Sequence, residues 1–372
     1  MTILPAEWHK QSFVQMIFPH AGTDWAPYLE EAQECFLNIA REILKREDLL
    51  VVGAYPCGRP DDSQPGRPQG YAPTVLQIPT NDTWARDCSG ITVFENGKSV
   101  VLDFSFNGWG LKFPADKDNL ITSKIFNTPP IPPKGGEFEG STVFENGVSN
   151  LPPSGGGGAT YKDCRNFILE GGSIESDGQG TILTTEKCLL SENRNYLSKT
   201  EIEEKLKEYL GAKRILWLRH GYLAGDDTDS HIDTLARFCP NDTIVYVKCE
   251  DENDEHFSEL KKMEKELQSF RTLDGKPYRL LPLPMADAVF FEGERLPATY
   301  ANFLIINGAV LCPTYNQPEN DEKAKTVLAK AFPDREIVGI DCTALIKQHG
   351  SLHCVTMQFP KPPEPPKGGM LQ

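Results

Sequence analysis

Between residues 24 and 45, Tyr28, Leu29, Ala32, Cys35, Phe36, Ile39, Ala40 and Ile43 recur at three-to-four spacing. That period predicts an amphipathic helix, followed by a buried strand over residues 49–52. A second helix is predicted over 199–210, with Ile202, Leu206 and Leu210 on one face and Gly211 as its stop. A third, charged outside, covers 254–270, and a fourth covers 319–331 before Pro333. Between them lie short strand-like runs at 90–94, 99–104, 180–185, 214–218, 243–247, 301–306 and 309–311. Asn96-Gly97 and Asn307-Gly308 each sit between two such runs, and Asn-Gly is the favoured pair for a tight hairpin. Strands and helices interleave throughout, so the class is α/β or α+β.

Residues 128–158 break this rhythm with Pro129-Pro130-Ile131-Pro132-Pro133 and Gly155-Gly156-Gly157-Gly158. They read as a long surface excursion within one domain over 1–360, and residues 361–372 as a Pro-rich tail. No Lys-Ser/Thr follows the glycines, so they are not a phosphate loop. Residues 92–97 recur unchanged as 142–147, a match short enough to be coincidence.

The 372 residues carry a net charge of −15, which argues against nucleic-acid or anionic-membrane partners and suits a cationic ligand. The N-terminus shows no secretory pattern and no run approaches about 18 apolar residues, so a cytoplasmic protein is expected. The ten cysteines are scattered without a Cys-x-x-Cys pair and read as reduced thiols, one of them a candidate nucleophile. Whether the chain forms a homo-oligomer is left open.

The run 225–233 packs Asp226, Asp227, Asp229, His231 and Asp233 together. In an extended segment His231 and Asp233 would point the same way, pairing a base with an acceptor-only carboxylate. A calcium loop starting at Asp227 would want Gly and Glu where Ile232 and Phe238 stand. Zinc lacks a second histidine at helical spacing. A solvated acidic loop is the bland alternative. Glu170 ends an apolar run before Gly171-Gly172, where glycines permit close approach to a ligand or merely a turn. Trp84 and Asp87 bracket Arg86, and an indole beside a carboxylate suits a planar cation, unless Arg86 and Asp87 form only a surface pair. Cys354 follows a glycine-containing turn, and its base is expected to be a histidine more distant than His353.

Together, Trp84-Ala85-Arg86-Asp87, Asn107-Gly108-Trp109-Gly110, Leu169-Glu170-Gly171-Gly172-Ser173, His231-Ile232-Asp233, Tyr300-Ala301-Asn302-Phe303 and His353-Cys354-Val355-Thr356, in this order, resemble the agmatine deiminase family of the guanidine-modifying superfamily. The resemblance implies a five-bladed α/β propeller around a central pocket and hydrolysis of agmatine to N-carbamoylputrescine and ammonia in polyamine metabolism. It implies Cys354 as nucleophile, His231 as general acid/base, Asp87 and Asp233 as the guanidinium clamp, and Glu170 as support for the guanidinium and the histidine. Trp84, Trp109 and Asn302 would contact substrate, and no metal or other cofactor is required. Ser230, Ser351 and Phe13 depart from the usual family pattern, where glycine, glycine and tryptophan stand. Deimination of peptidyl-arginine or free arginine is the alternative, and it predicts arginines at the pocket mouth. A carboxylate-rich metal-binding protein without catalysis is a third reading.

Overall fold

The computed structural model describes residues 1–53, 73–127 and 159–363. The Pro/Gly-rich excursion 128–158 and the tail from 364 onward lie outside the described residues, as does the second copy of the six-residue repeat.

The helix Lys199–Leu210 forms where the spacing placed it. Ser198 and Glu201 make a reciprocal capping box, and Gly211 ends the helix at φ +69°. The first helix begins later than its apolar spacing suggested, at Leu29–Leu44, because Pro27 and Tyr28 belong to a 3₁₀ turn, Ala26–Tyr28. The third is trimmed to Phe257–Ser269, since the Asp254 carboxylate accepts from the His256 backbone N–H in a turn just before it. The fourth is Pro318–Ala331, with proline in its first turn.

Among the described residues, five sheets of three or four strands repeat one plan: an antiparallel pair, then a parallel partner. The pairs are Ile91–Glu95 with Lys98–Ser105, Ile174–Ser176 with Thr181–Thr185, Ala236–Cys239 with Thr243–Lys248, Leu304–Ile306 with Ala309–Thr314, and Thr356–Pro360 with Gln11–Ile17. In four sheets one of the four long helices carries the chain over to the parallel strand, as parallel pairing requires. Asn96 and Gly97 both have positive φ, +51° and +80°, the geometry of the tight turn that Asn-Gly favours. In the Asn307-Gly308 hairpin only Gly308 does, at +76°.

This plan places the chemistry. Asp87, Glu170, Asp233, Asn302 and Cys354 each stand two to four residues ahead of the first strand of an antiparallel pair, one per sheet. Five residues far apart in sequence therefore hold matching positions ahead of strands in five sheets. A continuous apolar core, with Phe18, Trp25, Phe36, Phe238, Phe303 and Phe332 fully buried, fixes the units around them. The class is α/β. No helix among the described residues is long and apolar enough to cross a membrane.

Candidate active site

Trp84, Asp87, Trp109 and Cys354 line one cavity of about 160 Å³, with Asp24, Asp82 and Asp227 also on its walls. Asp87 sits in the short helix Ala85–Cys88. Its Oδ1 accepts from the Gly172 backbone N–H at 2.9 Å and its Oδ2 from Trp109 Nε1 at 2.9 Å. Trp109 reaches it from a left-handed turn: Gly108, Trp109, Gly110 and Leu111 all have positive φ, from +55° to +83°. L-residues pay roughly 1–2 kcal/mol each for that conformation, so holding Trp109 there needs the surrounding packing. Arg86 is not a surface partner of Asp87. It is buried, turned away toward Glu7, Met357 and Gln358.

His231 and Asp233 do come together, but not through an extended segment. His231 caps the 3₁₀ turn Ile232–Thr234, and Asp233 lies inside it. The loop before them is held by Asp226, whose carboxylate accepts from Thr228 N and Ser230 N at 3.1 and 2.6 Å. His231 Nε2 lies 3.2 Å from Glu170 Oε2, and its Nδ1 lies 3.6 Å from Asp87 Oδ1. Asp233 Oδ2 contacts His353 Nδ1 at 2.7 Å and lies 3.8 Å from Cys354 Sγ. A Cβ at Gly172 would fall 2.7 Å from His231 Nδ1, 2.9 Å from Asp87 Oδ1 and 3.0 Å from Asp233 Oδ2. The three groups thus converge on one point that only a glycine leaves open. His231 Nδ1 and Asp233 Oδ1 are buried and have no hydrogen-bond partner among the described residues.

Asn302, expected to contact substrate, contacts Cys354. Its side chain is turned to the Cys354 loop: Nδ2 lies 3.3 Å from Cys354 Sγ, and Oδ1 accepts from His353 N at 2.9 Å and from Cys354 N at 3.3 Å.

Three residues escaped the sequence reading. Arg194 donates from Nε to Glu170 at 2.7 Å, from Nη1 to Asp229 at 2.7 Å and from Nη2 to the Thr228 carbonyl at 2.9 Å. It follows the short helix Glu186–Leu189 without any periodicity to mark it. Glu7 and Arg237 meet under the site, where Arg237 donates to Glu7 and Glu175. Only the full burial of Arg237 and the partial burial of Glu7 signal them, and burial is invisible in sequence.

Burial pushes the Cys354 thiol well above its usual pKa, and Asp233 and Asp87 push it further. Burial alone would lower His231, but Asp87, Cys188 and Glu170 outweigh it and raise the imidazole well above its usual value. Burial raises Asp87, with Asp233 and Glu170 adding to it against His231. Glu170 ends below the usual carboxylate range despite its burial, through the hydrogen bond from His231 and the charge of Arg194. Asp233 ends below that range too, held against its burial by His353.

Glu170, Cys188 and His231 lie close enough to share a metal ion, as do Glu7, Glu175 and His353. In each group a guanidinium already sits on the carboxylates: Arg194 on Glu170, Arg237 on Glu7 and Glu175. That donor set answers a cation from the protein itself and fits a metal poorly.

The family model for Porphyromonas-type peptidyl-arginine deiminase matches residues 3–360. The chain belongs to that family. Among solved structures, one described as a "Putative Arginine Deiminase from Porphyromonas gingivalis" shares 48% identity, with 97% of this chain and 99% of that one covered and a TM-score of 0.81. The agmatine deiminase of C. jejuni, solved with substrate bound as a cysteine-to-serine variant, shares 38% identity over 96% of each chain, at a TM-score of 0.79. The agmatine deiminase of Pseudomonas putida is 29% identical over 96% of this chain and 95% of its own.

Proposed function

We propose that the chain hydrolyses agmatine to N-carbamoylputrescine and ammonia, feeding polyamine synthesis. The observation that carries this reading is the cavity itself, an acidic and aromatic well with Cys354 on its wall. A guanidinium is a planar cation. Ionised Asp87 and Asp233 would accept its N–H groups and align its carbon with Sγ. The free Oδ1 of Asp233 is such an acceptor.

In the first half-reaction Sγ bonds the guanidine carbon, and one C–N bond breaks. The thiol proton leaves through His231 to the departing nitrogen, which goes out as ammonia. A cationic amidino-thioether remains on Cys354. In the second, His231 takes a proton from water, oxygen bonds the carbon, and the C–S bond breaks to give the ureido product and the thiol. The released proton is taken up by ammonia as ammonium. The raised pKa of Cys354 means that the bound guanidinium, by its positive charge, helps generate the thiolate. Glu170 orients His231, and Asn302 holds the nucleophile loop.

The second reading is deimination of arginine, free or in a peptide, which the family name and the Porphyromonas relative favour. An α-carboxylate would meet Asp24, Asp82 and Asp227, whereas a primary ammonium would be attracted to them. Among the described residues, no arginine lines the cavity. Ammonia release from agmatine, arginine and an arginyl peptide, compared side by side with reduced protein, decides the matter. No turnover of agmatine would sink the first reading.

The five equivalent sheet units support a five-bladed α/β propeller. We read residues 1–360 as one catalytic domain with 128–158 as its surface insertion and 361–372 as its tail. The enzyme would act in the cytoplasm on a small guanidine, without metal or organic cofactor and without nucleic-acid or membrane partners.

A further inference from the structure

Beneath the nucleophile lies a buried layer of charge, and His353 is at its centre. The ring is fully buried and contacts three charged groups. Nδ1 lies 2.7 Å from Asp233 Oδ2. Nε2 lies 2.9 and 3.0 Å from the two oxygens of Glu7, and 3.0 Å from Arg237 Nη2. Arg237 is itself pinned by the carbonyls of Ala301 and Phe303 at 3.1 and 2.9 Å, and Arg86 donates to Glu7 at 3.1 Å. The ring is thus anchored on the side away from the cavity.

An ionised carboxylate only accepts, so Nδ1 is the donor in the Asp233 contact, whichever state Nε2 is in. The terminal torsion of an aspartate is soft and roughly two-fold. Nothing else among the described residues bonds Oδ1, and the only other contact of Oδ2 is the long one to Sγ. The imidazole donor therefore chooses the rotamer. We propose that His353 is a positioning residue for deimination: by donating Nδ1–H to Oδ2 of Asp233 it aims Oδ1 at the guanidinium and keeps Oδ2 beside Sγ. Glu7 and Arg237 act one contact further back, by fixing the ring.

The proposal rests on the guanidine-hydrolysis reading, and wild-type turnover of agmatine in the same assay tests that reading separately. Asparagine carries its amide nitrogen where histidine carries Nδ1, and glutamine carries it where histidine carries Nε2. His353→Asn thus keeps the donor to Asp233, whereas His353→Gln keeps only the donor to Glu7. With His353→Ala, kcat on agmatine should fall by about 100-fold, the scale of a misplaced reacting group. His353→Asn should recover at least tenfold of that loss and His353→Gln should not. The acid limb of kcat/KM should move to higher pH in the Ala and Gln variants and return in the Asn variant, because the donor helps hold Asp233 ionised. A packing role would favour the larger Gln and leave the acid limb in place. Equal activity in the two amide variants, or more in Gln, or an unmoved acid limb, overturns the proposal. The Asn/Gln pair decides it even where the Ala variant does not fold, with thermal melts confirming the folded state of both.

Discussion

Arg194 and Glu170 form a fully buried ion pair, Nε to Oε2 at 2.7 Å, on the oxygen that His231 Nε2 also reaches at 3.2 Å. The histidine is therefore oriented by a carboxylate whose charge is itself balanced from behind. Arg194→Met would leave Glu170 buried without its counter-charge. Breaking a buried pair from one side costs about 3–5 kcal/mol. The variant should melt well below wild type, and its kcat should fall as Glu170 takes up a proton and no longer accepts from His231. Denaturant unfolding and ammonia release on the same preparation check both. Unchanged unfolding would show that water or another group already compensates Glu170.

Cys354→Ser should abolish agmatine turnover while leaving the fold intact. The change is nearly isosteric, and a serine hydroxyl can still bond Asn302. Acid-quenched wild-type protein should carry the mass of an amidino adduct during turnover, and the variant should not. An adduct on any other cysteine would relocate the nucleophile.

Asp82 should make agmatine affinity pH-dependent. Burial raises its carboxyl to about 6, against hydrogen bonds from Trp25 and Trp84. It is charged above that pH and neutral below it. As pH falls through about 6, a primary ammonium loses its partner, so KM for agmatine should rise. An alkylguanidine with no amine should show no such component. Asp82→Asn should raise KM for agmatine already at neutral pH and remove the difference between the two guanidines. Parallel KM profiles for both would move the amine to Asp24 or Asp227.

How much of this was legible in the sequence depended on the range of the contact that decides each feature. The helix Lys199–Leu210 was readable because its apolar face, cap and glycine stop are local. The strand Gln11–Ile17 was not, because it is buried along its whole length and mixes Gln and Ser with apolar residues, so no alternation shows. Its Gln15 instead finds Ser89, 74 residues away. The candidate site was readable as motifs because each of its proposed residues lies within a few positions of a strand start. That Glu7 and His353, 346 residues apart, meet beneath it is a long-range contact with no local mark. His231 and Asp233 come together through a 3₁₀ turn and not through the extended segment that their alternation suggested.

Ser230 stands where glycine is usual in the resemblance, and its backbone shows why glycine suits. Its φ is +63°, beside Asp229 at +65°, and its buried hydroxyl has no partner among the described residues. Ser230→Gly should relieve the left-handed strain and the orphaned hydroxyl, against a gain in unfolded-chain entropy of about 0.4–1 kcal/mol. A net stabilisation of about 1 kcal/mol is expected, with kcat unchanged because Ser230 bonds the chain only through its backbone. A lower melting temperature would mean that the hydroxyl is bonded in solution.

Gly172→Ala should separate the fold from the chemistry. The glycine lies in the turn Gly171–Ser173, and its φ is not in the left-handed region, so alanine meets no backbone penalty there. Its Cβ would instead press within 3.0 Å of His231 Nδ1, Asp87 Oδ1 and Asp233 Oδ2. In the proposed mechanism those atoms are where the clamp, the acid/base and the substrate carbon meet, and a displacement of about 1 Å at such a centre costs about 100-fold in rate. Agmatine turnover should fall at least that far, while the melting transition stays cooperative. An active Gly172→Ala enzyme would mean that the three groups spread apart without consequence, and that the guanidinium is held elsewhere in the cavity.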